Sequence, residues 1–280
     1  MYLNYWRLKE EPFNNALDLR FLHMTPQHGE GVARLLYAVQ QHKEGAVLTG
    51  GFGTGKSLVR TFFLSKLETI GNFAVALVEN PLVEPESMMR DIYAQISQKT
   101  MPSGLAGGGF RELAAALADR QAHGFHNLVV IEEAQLLNRI ESLEQLRLLM
   151  NLSDRKGRPL LTMIFIGQDD FLRVFALSPG LAQRVPARWN LAPLTLEQTR
   201  DYVDHRLCVA GANGWILEDS AVEVLHAFSG GTARIINNTA DMALYLGMRE
   251  AAARVDAGIV ERVVADQRNS LSLAQAEVAP

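Results

Sequence analysis

A three-layer α/β core on a parallel sheet, followed by a smaller all-helical domain, is the architecture that this sequence predicts. Three observations carry it. Short apolar runs suited to buried strands alternate with helical periods as far as Pro193, an order that implies a parallel sheet covered on both faces. Beyond Pro193 the apolar runs stop and only helical patterns continue. One run, beginning at Val47, passes directly into Gly50-Gly-Phe-Gly-Thr-Gly-Lys-Ser57, which fits the phosphate-loop pattern G-x-x-x-x-G-K-[ST] between a strand and a helix.

The chemistry explains that spacing. Glycines let successive backbone N–H groups turn inward around a triphosphate, and the helix that follows points its positive dipole end at the same anion. Gly50, Gly51, Phe52, Gly53, Thr54, Gly55, Lys56, Ser57 and Leu58 are the expected nucleotide-binding residues. Lys56 would reach the β- and γ-phosphates, and the Ser57 hydroxyl would ligate Mg²⁺. A chance glycine-rich turn would lack the strand before and the helix after. The expected fold class is therefore a P-loop NTPase core.

The chain of 280 residues is long enough for two domains, and 48% hydrophobic with 21% charged residues is ordinary for a globular protein. A formal charge of −4 argues against a strongly basic nucleic-acid binder, although a local basic face fits within that total. The single cysteine, Cys208, makes neither an internal disulfide nor a metal cluster and suits a reducing compartment. No apolar run approaches the roughly 18 residues of a membrane span, and the N-terminus lacks a signal layout. A cytoplasmic chain without direct membrane insertion is expected.

In chain order, residues 1–25 mix Tyr2, Tyr5, Trp6, Phe13 and Phe21 with turn formers and read as an irregular strap, its aromatics packing or walling an adenine base. Thr25-Pro26 resembles a helix start, with Val32, Leu35, Leu36 and Val39 at helical spacing. After the phosphate loop the helix runs to about Gly71, a strand covers Phe73–Glu79, and Asn80-Pro81 ends it. Helices follow over about Pro85–Gln98 and Phe110–His123, separated by a glycine-rich stretch expected to be mobile. Asn127–Glu133 is the next strand, then a helix marked by Leu143, Leu146 and Met150, a strand over Leu160–Gly167, and a short one near Arg188–Leu191. Thr195 with Gln198 forms a capping-box pattern opening a helix to about Ala210. Helices over Asp219–Phe228, from Gly231 to about Arg254, and over Asp256–Gln267 complete the chain, with a frayed tail from Ser270. The domain reading is strap 1–25, core 26–193, helical lid 194–268 and tail 269–280.

A phosphate loop alone indicates binding, not hydrolysis. The second signal is a strand ending in Glu132-Glu133, where an acidic residue can hold Mg²⁺ through water and its neighbour can orient the attacking water. Glu132 takes the metal role and Glu133 the catalytic one. A solvated acidic turn is the alternative.

Glu10-Glu-Pro-Phe13, Asp18-Leu-Arg-Phe-Leu22, the phosphate loop, Glu132-Glu-Ala-Gln-Leu136, Leu146-Arg-Leu-Leu149, Gly167-Gln168, Gln183-Arg184 and Gly230-Gly-Thr-Ala-Arg234 occur in this order. Together, over about residues 1–267, they resemble the ExeA/GspA family of AAA+ ATPases, relatives of the transposition ATPases TnsC and TniB. The resemblance implies an ASCE-type core with a small helical lid, a homo-oligomeric ring or filament, and ATP or ADP bound with Mg²⁺ between subunits. It places Gln168 as a sensor of the γ-phosphate or water, Arg184 as an arginine finger with Arg188 as runner-up, and Arg234 as the lid's phosphate sensor. Asn80 is either a polar switch holding Glu133 or plain turn chemistry.

Three departures stand out. Glu132 replaces the usual aspartate, which leaves hydrolysis speed open; Ala16-Leu-Asp-Leu19 replaces Thr-Pro-Asp-Pro; and the sequence stops near Pro280, where secretion-type members often continue into a membrane span and a cell-wall-binding region, so the expectation is weighted against a secretion role. The leading expectation is an ATPase that couples nucleotide state to assembly or partner engagement. The alternatives are an ATP-dependent DNA-binding regulator of transposition, with Arg147, Arg155, Lys156 and Arg158 near phosphates, and a nucleotide-gated scaffold with negligible hydrolysis. The protein partner is unknown.

Overall fold

The structure is a computed structural model that describes residues 1–102 and 109–278, with side chains to Asn269. Most of the stretch expected to be mobile therefore lies outside the described residues. The chain forms α1 (Tyr2–Trp6), α2 (Pro26–Gln40), β1 (Gly45–Gly50), α3 (Lys56–Ile70), β2 (Phe73–Val78), α4 (Pro85–Ser97) and α5 (Phe110–Ala122). It continues with β3 (His126–Ile131), α6 (Ile140–Met150), β4 (Leu161–Gly167), α7 (Phe171–Leu177), α8 (Pro179–Ala182) and β5 (Ala187–Leu191). Then come α9 (Leu196–Val209), α10 (Asp219–Ser229), α11 (Ala233–Arg249) and α12 (Ala257–Val278). Two compact units result, one of Pro26–Gly51 with Val59–Leu191, the other of Met1–Thr25, Phe52–Leu58 and Ala192–Pro280.

In the sheet unit, five parallel strands take the order β2-β3-β4-β1-β5. Strand periodicity of two divides their side chains between two cores. Ala46, Leu48, Leu128, Val130, Ile164 and Ile166 meet α2 and α3 through Leu35, Val39, Phe63 and Leu67. Val47, Val129, Ile131, Met163 and Phe165 meet α4, α5 and α6 through Ile92, Leu117, Leu143 and Leu146. Every residue of β1, β3 and β4 is buried, which is the continuous apolar signature that a doubly covered parallel sheet requires. The expected three layers are present.

Some boundaries differ from expectation, each for a local reason. β3 stops at Ile131, before the two glutamates, because Glu133 adopts a left-handed conformation (φ 46°, ψ 40°) that leaves the ladder. Two short helices, α7 and α8, occupy 171–182, where the seven- and four-residue lengths give too little period to read. α11 ends at Arg249, ahead of the left-handed Ala251 (φ 53°), and the α12 backbone continues to Val278 rather than stopping at Gln267.

The helical unit has its own core. Tyr2, Trp6, Phe13 and Phe21 pack with Tyr202, Leu207, Leu225, Ile236, Leu244 and Val260, so the N-terminal aromatics are packing residues of this unit. Buried Arg206 fastens them. It donates to the carbonyls of Pro12 (2.5 Å) and Asn14 (2.6 Å) and to the Tyr202 hydroxyl (2.9 Å), and its guanidinium lies 4.9 Å from the Phe21 ring centroid. The Thr195–Gln198 capping box forms with both reciprocal bonds.

A polar chain closes the amino edge of the sheet. The Thr162 hydroxyl donates to the Lys43 carbonyl (2.7 Å), so its oxygen accepts from His126 Nε2 (2.9 Å). Neutral His126 then carries its proton on Nε2, and its Nδ1 accepts from Nδ1 of His42 (2.9 Å). Burial, with the neighbouring His42 second, pushes the His126 pKa down from 6.5 to about 4. The unfolded chain therefore binds a proton that the native chain refuses. Stability from this group is complete above pH 6.5 and is lost as pH falls toward 4, by roughly 3 kcal/mol over the whole window. Urea titrations at pH 7.5 and 4.5 should show a smaller acid loss for His126→Gln than for the wild type; equal losses would remove His126 from the pH dependence.

Candidate functional site

β1 delivers the chain to the phosphate loop at the carboxyl edge of the sheet, and Lys56 and Ser57 are the first two residues of α3. N–H groups in a first helical turn lack intrahelical acceptors and are the natural anion donors. Gly53 and Gly55 hold φ of 72° and 100°, the left-handed region that glycine favours. Gly53 is also needed for space: a Cβ there would lie 2.8 Å from Arg234 Cβ and 3.0 Å from Thr232 Cγ2. The loop and the start of α11 are thus in contact within the helical unit, and Arg234, the expected phosphate sensor, stands beside the loop. Thr54 is buried, whereas Phe52 is 72% exposed.

Glu132 follows β3 directly, and its carboxylate reaches a partner that the sequence did not indicate. Arg60, one turn into α3 from Lys56, places Nη1 2.7 Å from Glu132 Oε2, with only 9% and 15% of the two side chains exposed. The remaining expected metal donor is the Ser57 hydroxyl. Carboxylate and hydroxyl oxygens are the donor type that suits Mg²⁺, which keeps several waters and binds phosphates, and no cluster of three His, Cys, Asp or Glu that could hold another metal occurs among the described residues.

Glu133 is held by Gln135, whose Nε2 donates to Glu133 Oε2 at 2.6 Å. The same amide accepts the backbone N–H of Gln168 through Oε1 at 2.9 Å. Gln168 directly follows β4, and its main chain is tied to the turn after β3. The next residue, Asp169, accepts from Asn190 Nδ2 at 2.5 Å, and Asn190 also donates to Thr49 Oγ1 on β1 at 3.0 Å. Asn80 takes the turn role: its Oδ1 accepts from the Leu82 N–H at 3.1 Å.

The arginines are spread more widely. Arg184 pairs with Glu44 at 2.8 Å, next to the amino end of β1 and so roughly 16 Å along that strand from Gly50. Arg188 donates to the carbonyls of Val185 (3.1 Å) and Ala182 (2.8 Å) and lies over Phe175. Of the basic residues considered for DNA, Arg147 is paired with Glu144 (2.8 Å) and Arg158 with Asp154 (2.7 Å). Hydrogen bonds from Arg147 to Glu144, and from the Arg158 backbone to Asp154, hold both carboxyls below the usual range. Arg155 and Lys156 are exposed.

Comparison with known proteins places this geometry. Residues 20–175 match the family described as AAA domain. The chain belongs to the AAA family. It is ExeA/GspA-like in particular: over 251 residues, 87% of the chain, it is 35% identical to General secretion pathway protein A of Aeromonas hydrophila. The chain spans 44% of the length of that relative. The fold is that of solved AAA+ structures. The Aeropyrum pernix ORC2 protein aligns with a TM-score of 0.68 at 15% identity, covering 92% of this chain and 71% of that one. The Thermotoga maritima RuvB Holliday junction branch migration motor aligns at 0.53 and 17%, covering 84% and 67%. These likenesses show the fold alone. No helix of the described residues is long and apolar enough to cross a membrane.

The Arg60–Glu132 pair makes a direct prediction for this AAA chain. Removing one partner of a buried ion pair is strongly destabilising, at a cost of about 3 kcal/mol. Arg60→Ala should lower unfolding free energy by about that much in urea, and Arg60→Met with Glu132→Gln should recover most of it. A loss within about 0.5 kcal/mol for Arg60→Ala would show the pair to be unimportant.

Proposed function

We propose that this chain binds ATP with Mg²⁺ on the Gly50–Ser57 loop and hydrolyses it, and that nucleotide state governs assembly of its copies or engagement of a protein partner. The observation that carries the reading is the carboxyl edge of the sheet, where Glu133, fixed by Gln135, and Gln168 lie at the ends of adjacent strands. In this reading the loop's backbone N–H groups and Lys56 bind the phosphates, and Glu133 orients the attacking water. Mg²⁺, when bound, neutralises charge on the β- and γ-phosphates. Ser57 and Glu132 would hold it, Glu132 through water with one carboxylate oxygen already on Arg60. Arg234 would read the γ-phosphate from beside Gly53.

Arg184 is too far along β1 to serve its own loop. Its proposed role is therefore toward the nucleotide of a neighbouring copy in a ring or filament, which requires leaving or sharing Glu44. The similarity to a general secretion pathway protein supports a secretion- or assembly-linked role for a chain in the cytoplasm, where ATP is available. The DNA-bound regulator is the weaker reading, because two of the four basic residues that would contact phosphates are neutralised by neighbouring carboxylates.

Isothermal titration with ATP and a steady-state phosphate-release assay test the proposal together. Lys56→Ala should weaken ATP binding at least about tenfold, near 1.4 kcal/mol. Glu133→Gln should bind ATP within about threefold of the wild type but turn over about a hundredfold more slowly. Unchanged affinity in the first variant, or normal turnover in the second, would overturn it. Wild-type binding without turnover would instead support the scaffold, and ATP-dependent DNA binding with a steep salt slope would support the DNA regulator.

A further inference from the structure

We infer that Gln135 is the positioning residue that links the γ-phosphate sensor to the water-orienting carboxylate, resting on the ATPase reading above. Its amide orientation is settled by its neighbours. The Gln168 backbone N–H can only donate, so Oε1 faces it at 2.9 Å, and Nε2 is left to donate to Glu133 Oε2 at 2.6 Å. A charge-assisted bond of this length is among the stronger side-chain contacts. It holds one carboxylate oxygen of Glu133 and leaves the other for water.

The backbone on both sides is built to admit this amide. Glu133 pays for its position with left-handed φ and ψ (46°, 40°), which an L-residue keeps only where the surroundings over-determine it. On the β4 side, Gly167 leaves room for a close approach rather than serving its own backbone angles: a Cβ there would lie 2.8 Å from Gln135 Oε1, which would have to move, and 3.2 and 3.3 Å from the backbone nitrogens of Gln135 and Ala134. Gly167 thus opens the space, Gln135 fills it, and Glu133 is aimed by it. A shift of the β4 terminus as Gln168 meets a γ-phosphate is passed through one amide to the carboxylate two residues away. Asn80, bonded to Leu82, takes no part in this link.

Two variants break the link from opposite ends. Gln135→Leu keeps an apolar side chain of similar size and removes both bonds, and Gly167→Ala places a methyl group 2.8 Å from Oε1, pushing the amide away from the Gln168 N–H. Each should lower kcat at least about tenfold while affinity for a fluorescent ATP analogue changes less than about threefold. The double variant should be no slower than the worse single within about threefold, because both act on one contact. A kcat within twofold of wild type for Gln135→Leu, or losses that multiply in the double variant, would overturn the inference. A readout free of turnover is the side-chain amide signal of Gln135 in the nucleotide-free protein, assigned through Gln135→Leu. It should move upfield in Glu133→Ala, and an unmoved signal would overturn the contact. Absence of wild-type turnover would defeat the ATPase proposal, while the amide signal would still decide the contact.

Discussion

The candidate site depends first on β4 lying between β1 and β3. Because all three strands are parallel, their carboxyl ends come out on one edge, and the register fixes which residues meet there: Thr49 beside Gly167, and Ile131 beside Phe165. Helices cover both faces of the sheet, so none of these strands can slip without moving its apolar set to the wrong core. The two glutamates and Gln168, which directly follow β3 and β4, inherit their positions from that register. Open α/β sheets bind ligands at such carboxyl ends.

Short polar contacts then knit the edge together. Arg60 joins the first turns of α3 to Glu132, Gln135 joins Glu133 to the β4 terminus, and Asn190 joins Asp169 to Thr49. Each brings together segments far apart in sequence or two structural elements. A buried ion pair such as Arg60–Glu132 gains little net stability over an apolar pair of the same volume, because desolvation offsets most of the attraction. What it fixes is orientation. The extra methylene that distinguishes Glu132 from aspartate spans to Arg60, so the residue that looked anomalous in sequence has a local structural partner.

Periodicity made most of the fold legible. The strands of the sheet and the long helices announce themselves by period, and the capping box at Thr195 and Gln198 forms as its spacing requires. The phosphate loop and the acidic pair are local in sequence and were readable for that reason. Arg60 was not, since an arginine within Leu58-Val-Arg-Thr-Phe62 has the pattern of an ordinary helix-surface cation, and only the fold shows that its face is buried against β3. Gln135 belonged to a recognisable motif, but its task depends on Gly167, a strand away. The Arg184–Glu44 pair is likewise a product of strand order, because Glu44 precedes β1 and Arg184 precedes β5, its neighbour in the sheet.

Electron microscopy of the purified protein with a non-hydrolysable ATP analogue and Mg²⁺, with and without DNA, tests the central claim most directly. The account predicts assembled particles in which the analogue's phosphates lie in the Gly50–Ser57 loop, with the Gln135-held carboxylate of Glu133 facing the γ-phosphate position. Nucleotide bound elsewhere, or a loop empty at saturating analogue, would contradict it.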